Sequence, residues 1–189
     1  MADSPVKTFR TPAAWARWLE GHHGDDDGVW LKFAKKGTGV TTVTYAEALE
    51  VALCWGWIDA QVKRFDETYY LQRFVPRRAR SKWSKLNREA ATRLIEAGKM
   101  QPPGLAQVER AKADGRWDVA YESPANATVP DDLERALRRN KQAREFFATL
   151  SSQNRYAILY RIQEAKRSDT RARRIAQFVD MLARGETLH

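Results

Sequence analysis

The spacing of the hydrophobic residues changes at Pro76, and this change limits the folds open to the chain. Before it, the segments 29–33, 57–65 and 68–75 read as β-strands bounded by turn residues. After it, hydrophobic residues recur three and four positions apart, as along one face of a helix. The sequence therefore predicts an α+β fold. A small N-terminal antiparallel or mixed sheet of three to four strands with helices is followed by a C-terminal bundle of about five helices.

Capping residues place two helices in the N-terminal part. Thr11 precedes a proline and suits the N-cap of a first helix. Thr44 and Glu47 have the spacing of a capping box, so a second helix is expected over residues 45–55. A short extended piece is expected immediately before it, over residues 40–44.

The same signals delimit the helices after Pro76. Five helix starts are expected, and Asn140 is expected to break the third of these helices. The starts lie at Ser84, Pro102, Pro130, Ser151 or Ser152, and Ser168 or Asp169.

The 189 residues are enough for a single compact domain with a core. Within it, we expect an α+β unit over residues 1–83 and a helical part over residues 84–189. The connection over residues 116–129 is the best candidate for an internal boundary.

The few cysteines and histidines argue against metal or nucleophilic chemistry. Cys54 is the only cysteine, lies in an apolar run and is expected to be a buried structural thiol. His22 and His23 precede three aspartates, but they lack the i, i+4 spacing of a helical metal pair. No dinucleotide-binding or phosphate-binding glycine motif is present. The sequence predicts neither a metal nor a cofactor.

The excess of positive over negative charge lies entirely in the C-terminal part of the chain. Residues 1–75 hold 9 Lys and Arg against 10 Asp and Glu, whereas residues 76–189 hold 24 against 14. Such an asymmetry indicates anionic partners. No apolar run is long enough to span a membrane, so no membrane insertion is expected. The first residues lack the pattern of a secretory signal, and a cytoplasmic location is expected.

The segment 76–88 concentrates this charge between a strand and a helix. It carries six cations and no acid, together with Ser81, Trp83, Ser84 and Asn87. A helix N-terminus offers unpaired amide groups, and arginine offers planar forks that suit phosphate or carboxylate. The segment is therefore a candidate anion site. Alternatively, Ser84 only caps the helix and the arginines pair with acids of the preceding hairpin.

A second cluster surrounds Gly56, which separates Trp55 from Trp57 and permits a sharp turn. Asp59 follows on the next strand, where it could act as a general base or orient an arginine. The alternative for Asp59 is a structural ion pair with Arg73 or Arg77.

Several segments resemble the bacteriocin-protection, YdeI or OmpD-associated family of bacterial proteins, and together they cover nearly the whole chain. They include Gly28–Leu31, Lys35–Lys36, Tyr45–Ala48, Leu53–Asp59, Arg73–Arg78, Ser81–Ser84 with Asn87, Gly98–Met100, Ala111–Lys112, Gly115–Trp117, Ala165–Lys166, Thr170–Arg171 and Arg174–Ile175.

The resemblance implies a role in resistance to bacteriocins or in the stress response, and an association with a porin. It implies no reaction and no ligand. Direct porin contact is not expected of a chain without a signal peptide. The polar motif positions map to Lys36, Asp59, Arg77, Arg78, Ser81, Ser84 and Asn87.

We therefore expect a protein that binds an anionic small molecule in a basic, tryptophan-rich cleft. The predicted ligand-binding residues are Lys36, Trp55, Trp57, Asp59, Arg73, Arg77, Arg78, Ser81, Trp83, Ser84 and Asn87. Two alternatives stay open. The protein could be an enzyme on a small phosphorylated or carboxylated substrate, with Asp59 as acid or base and Arg77 and Arg78 as the clamp. It could also bind nucleic acid, with Trp83 and Trp117 as stacking surfaces.

Overall fold

The computed structural model describes residues 4–122 and 127–188. Residues 123–126, inside the predicted connection 116–129, lie outside the described residues. The rest confirms the predicted α+β class. The elements are β1 (Val6–Lys7), α1 (Pro12–His22), β2 (Val29–Ala34), α2 (Tyr45–Cys54), β3 (Trp57–Arg64), β4 (Tyr69–Pro76), α3 (Lys85–Glu96), α4 (Pro102–Ala113), α5 (Asp131–Arg138), α6 (Lys141–Thr149), α7 (Ser152–Gln163) and α8 (Ser168–Ala183).

The four strands form one mixed sheet in the order β1-β2-β4-β3. Strand β1 pairs in parallel with β2, and the other neighbours are antiparallel. The sequence did not predict β1, because its two residues are too few to show an alternating pattern. Residues 40–44, expected as an extended piece, belong to no strand.

The sheet has one face buried by helices α1 and α2. Trp15 and Leu19 of α1 pack there with Val29, Phe33 and Phe74 of the sheet. Because side chains alternate along a strand, Trp30 and Lys32 of β2 lie on the other side, which we call the outer face. The predicted ligand-binding residues of the sheet divide between these two faces.

Local signals set the helix starts as expected. Thr11 accepts a hydrogen bond from the amide of Ala14, and Ser84 accepts one from the amide of Asn87. Thr44 and Glu47 form the complete capping box. Six helices follow Pro76 in the described residues, one more than the predicted five, because Asn140 caps a separate helix α6.

Helix α4 approaches the end of α2 very closely. The amide of Gln101 donates to the carbonyl of Cys54 at 3.0 Å. A Cβ on Gly104 would lie 2.2 Å from that carbonyl oxygen, so only glycine fits. A Cβ on Gly56, whose φ is +77°, would lie 2.9 Å from the carbonyl oxygen of Pro103. The turn between the two tryptophans is therefore fixed by backbone packing.

The described chain divides into two compact units, with the division between Ala120 and Tyr121. In the first, helices α3 and α4 share a core with α2 that includes Leu53, Trp83 and Val108. Helices α5–α8 form the second unit around a separate core that includes Leu133 and Ile162. The single compact body expected from the sequence stays a prediction.

Candidate functional site

The predicted ligand-binding residues do not form one cluster of mutual contacts. Those from Arg77 to Ser84 lie on the segment between β4 and α3, and Asn87 lies in the first turn of α3. The others occur at four further places in the first unit: the turn after β2, the turn at Gly56, the first part of β3, and the outer face of the sheet.

Arg77 anchors the segment 77–84, which we call the basic loop. Its guanidinium carbon lies 3.7 Å from the centre of the Trp83 ring, and Nη1 donates to the carbonyl of Lys82 at 3.0 Å. Only 5% of Arg77 and 2% of Trp83 are exposed. A desolvated cation over tryptophan is worth about 2 kcal/mol. Arg77 therefore holds the loop from inside and is not a surface clamp.

Arg78 and Ser81 close a turn within the basic loop. The amide of Arg78 donates to Oγ of Ser81 at 2.9 Å, and the amide of Ser81 donates to the carbonyl of Arg78 at the same distance. The carbonyl of Ser81 accepts from Nη1 of Arg116, which also pairs with Asp114 at 2.7 Å. Arg77 and Arg116 thus donate to the carbonyls of Lys82 and Ser81, whose oxygens would otherwise repel an anion.

The exposed cations of this turn are Arg78 and Arg80. Neither forms an ion pair within residues 4–122 and 127–188. The loop leads into the twelve-residue helix α3, whose first turn contains no acid and whose N-cap is Ser84. Positive side chains and the positive end of the helix dipole therefore lie close in sequence.

Asp59 lies on the buried face of the sheet, opposite Phe74 of β4. Its Oδ2 accepts a hydrogen bond from the hydroxyl of Tyr45 at 3.0 Å. Burial and the nearby carboxylate raise the pKa of Tyr45 well above its usual range. No arginine lies within ion-pair distance of Asp59 in the described residues, so the expected ion pair is absent.

Alternation along β4 explains why Arg73 misses Asp59. Arg73 precedes Phe74 and so lies on the outer face. There its Nη2 donates to Oγ of Ser4 at 3.0 Å and to the carbonyl of Asp27 at 2.9 Å. The sequence correctly predicted that strands β3 and β4 pair. It did not show the register that places Asp59 and Arg73 on opposite faces.

The two tryptophans around Gly56 are structural. Trp57 is fully buried, and its Nε1 donates to the carbonyl of His23 at 2.9 Å. The half-buried Trp55 ring lies 5.3 Å from the ring of His23. Both side chains pack in the core between the sheet and helices α1 and α2, and their contact with a ligand stays a prediction.

Lys36 is exposed on the turn after β2 and lines a cavity of about 570 Å³. The aromatic walls of this cavity are Phe33, Tyr45 and Tyr70, and its rim is the loop 34–44. The cavity thus borders the Tyr45 side of the Asp59 contact. It contains none of the basic-loop residues.

Cys54 and His22 both pack against neighbouring side chains. Cys54 is buried, and burial raises the pKa of its thiol to about 11. The ring of His22 stacks on Trp18 at 4.2 Å. The described residues contain no group of histidines, cysteines and carboxylates that could hold a metal ion. Their helices include none that is long and apolar enough to cross a membrane.

Sequence reasoning missed Tyr45 and Arg116. Tyr45 is 14 positions from its partner Asp59, and Arg116 is 35 positions from Ser81. The position of Tyr45 at a helix N-terminus did not indicate that its hydroxyl bonds to a carboxylate of the sheet. Arg116 stood beside a tryptophan in the family-like segments, which was the one available signal.

Comparison with known families assigns both parts of the chain. Residues 7–107, more than half of the chain, match the model described as Domain of unknown function (DUF8412). Residues 126–185 match the model described as Bacteriocin-protection, YdeI or OmpD-Associated. The second match confirms the predicted family, although most of the motifs that suggested it lie within the first.

No curated protein and no solved structure matches the chain. The family of the chain therefore follows from the two family matches. The chain belongs to the family of the domain of unknown function DUF8412, and its helices α5–α8 lie in a region of the Bacteriocin-protection, YdeI or OmpD-Associated type.

Proposed function

We propose that the protein binds an anionic ligand with a phosphate or carboxylate group at the basic loop, and that this binding serves a protective or stress-related role. The observation that carries the proposal is the anchored turn. Arg77 is buried on Trp83, while the neighbouring Arg78 and Arg80 are exposed and have no carboxylate partner in the described part of the chain.

Anchoring matters because binding costs entropy when flexible side chains become ordered. The hydrogen bonds between Arg78 and Ser81 fix the turn before any ligand arrives. Two arginine forks and the N-terminal amides of α3 then offer several charge-assisted donors to one anion. A tenfold gain in affinity requires only about 1.4 kcal/mol, which one or two such donors supply.

The geometry favours binding over the enzymatic alternative. That alternative needs Asp59 beside the arginine clamp, but Asp59 bonds to Tyr45 and Arg77 is engaged with Trp83. The proposed site therefore consists of Arg78, Arg80 and the start of α3, without Asp59.

Calorimetric titration with inorganic phosphate, pyrophosphate and citrate tests the proposal. We expect one saturable site, and thermal stabilisation that follows the free ligand concentration. The variant with Arg78→Ala and Arg80→Ala should lose at least about tenfold in affinity for the best ligand.

A matched control removes two arginines that have carboxylate partners. Arg138 pairs with Glu134 at 2.7 Å and Arg167 with Asp169 at 3.0 Å, and all four side chains are exposed. The Arg138→Ala, Arg167→Ala variant should bind as the native protein does. Equal losses in both double variants, or no saturable binding of any of the three anions, would refute a specific site at the basic loop.

A further inference from the structure

The outer face of the sheet carries alternating aromatic and cationic side chains. In the register of β2 and β4, Trp30 lies opposite Arg73, and Lys32 lies opposite Leu71. Leu71 in turn lies opposite Lys63 of β3. Successive rows on one face of a sheet are about 6.6 Å apart, because the rise is about 3.3 Å per residue. A row with an aromatic ring is thus followed by a row with two cations.

A third row completes the pattern at the start of β4. Tyr69 lies opposite Ala34, four residues beyond Trp30 along β2. Phe65, half exposed in the connection between β3 and β4, lies beside it through a shared contact with Lys32. Two aromatic positions therefore flank the lysine row, roughly 13 Å apart along the strands.

The two lysines rest on these rings. Nζ of Lys63 lies 4.4 Å from the centre of the Trp30 ring. Nζ of Lys32 lies 4.4 Å from the centre of Phe65 and 4.2 Å from that of Tyr69. The aliphatic stems provide cover for Leu71, which is 1% exposed, as long lysine side chains commonly do over apolar surface.

The charge of this surface is not balanced by carboxylates. Within the described residues, Lys32 and Lys63 have no ion pair, and Arg73 donates only to a serine hydroxyl and a backbone carbonyl. The nearest acid in sequence to Phe65 is Asp66, and its Oδ1 already accepts from the amides of Thr68 and Tyr69. Lys32 and Lys63 therefore form a cationic row between two aromatic positions.

We infer that the outer face binds single-stranded nucleic acid. Bases stack on aromatic rings without regard to sequence, and cations beside the rings take the phosphates. An ammonium over an exposed ring is worth only about 0.5–1 kcal/mol, so a phosphate and a base displace it at small cost. A duplex keeps its bases stacked inside the helix, where they cannot reach the rings. The surface therefore selects single strands.

This inference is independent of the proposed function, because it concerns another surface and other residues. It also differs from the nucleic-acid alternative raised by the sequence. That alternative relied on Trp83 and Trp117, but Trp83 is buried against Arg77 and its ring lies 4.9 Å from that of Trp117. Trp83 thus has no free ring face for a base.

Fluorescence anisotropy with a labelled deoxythymidine oligomer of about 12 nucleotides tests the inference. We expect saturable binding that weakens from about 50 to 200 mM salt with a log–log slope near −0.7 per phosphate contact. The same oligomer annealed to its complement should bind at least about tenfold more weakly at the higher salt concentration.

Two aromatic variants test stacking. Trp30→Ala should weaken binding about 5-fold to 100-fold, and Trp30→Phe should restore most of it. Phe65→Ala removes a half-exposed ring, so it tests the same point if Trp30→Ala unfolds the protein. Lys32→Ala with Lys63→Ala should reduce the salt slope by about 1.4, which is two phosphate contacts.

Three controls separate this surface from charge alone and from the basic loop. Lys112 is exposed and pairs with Glu109, so Lys112→Ala should leave the affinity unchanged. The Arg78→Ala, Arg80→Ala variant should also retain binding. Any of three results would overturn the inference. They are equal affinity for duplex and single strand, competition by heparin as effective as that by the unlabelled oligomer, and unchanged binding in both Trp30→Ala and Phe65→Ala.

Discussion

The basic loop and helix α8 are both rich in arginine, but within the described residues α8 contains an arginine that pairs with a carboxylate, whereas Arg78 and Arg80 of the loop do not. In α8, Arg171 holds Asp132 at 2.6 Å, and just before the helix Arg167 holds Asp169. The basic loop contains no acid, its innermost arginine is buried on a tryptophan, and Arg78 and Arg80 are exposed. The comparison teaches that the count of positive residues does not locate an anion site. The proposed function depends on arginines that no carboxylate of the described residues already occupies.

The largest expected effect comes from removing the ring that supports the basic loop. Trp83→Ala deletes a side chain that is 2% exposed and in contact with Arg77 and Trp117. We expect a loss of about 3–5 kcal/mol in the free energy of unfolding, as for other buried aromatic residues. Urea denaturation followed by circular dichroism measures it. A loss below about 1 kcal/mol would show that the loop is not held by this ring.

Arg77 itself should give the next largest effect. Arg77→Lys keeps the charge but removes the planar group that stacks on Trp83 and donates to the Lys82 carbonyl. Because the two cations are not equivalent at a stacked site, we expect a loss of about 1–2 kcal/mol. Arg135→Lys on the exposed surface of α5 is the matched control and should be neutral. Equal stability of both variants would mean that only the charge of Arg77 counts.

The pairing of Asp132 predicts how the C-terminal unit responds to acid. Hydrogen bonds from Arg171 lower the pKa of this carboxyl below its ordinary value of 3.8. The contribution to stability is therefore complete above pH 3.8 and is lost as the pH falls through the lowered pKa. Both side chains are about a third exposed, which limits it to about 1 kcal/mol.

Asp132→Asn tests this assignment. The variant should unfold with less dependence on pH below about 4, and with little difference from the native protein once that carboxyl is protonated. Thermal unfolding between about pH 2 and 6 provides the measurement. If native protein and variant lose stability in parallel across this range, Asp132 is not the titrating group.

The smallest effects should differ in sign between the two regions. Arg138→Ala removes a partner of Glu134 and should cost about 0.3–0.5 kcal/mol. Arg80→Ala removes one of several like charges and should be neutral or stabilising by a similar amount. Added salt should shrink both differences, because it screens exposed charges. Losses of equal size in the two variants would remove the distinction between paired and unpaired arginines.

Most of the fold could be predicted from local signals in the sequence. The capping box at Thr44 and Glu47 and the N-caps at Thr11 and Ser84 each depend on residues three positions apart. Such signals can be read without knowledge of the tertiary structure. Strand β1 was missed because it exists only through its pairing with β2, which no two-residue segment can reveal.

The candidate site was predictable only where its residues are neighbours in sequence. The charge of the basic loop, its serine cap and its tryptophan were all visible before the structure was known. That Arg77 is buried while Arg78 is exposed depends on how the chain leaves β4, with the amide of Arg77 bonded to the carbonyl of Gly56. The separation of Asp59 from Arg73 depends on strand register. Both are long-range properties.

The close approach of α4 to α2 links two stretches of chain that are almost fifty positions apart. Because the carbonyl of Cys54 accepts from Gln101 and no side chain fits at Gly104, neither helix end can move without the other. Their amide hydrogens should therefore exchange with solvent in one cooperative opening rather than by separate fraying. Mutation faces the same constraint: a change of backbone path near Gly56 must be matched by a change near Gly104, so the two segments should be altered together or not at all.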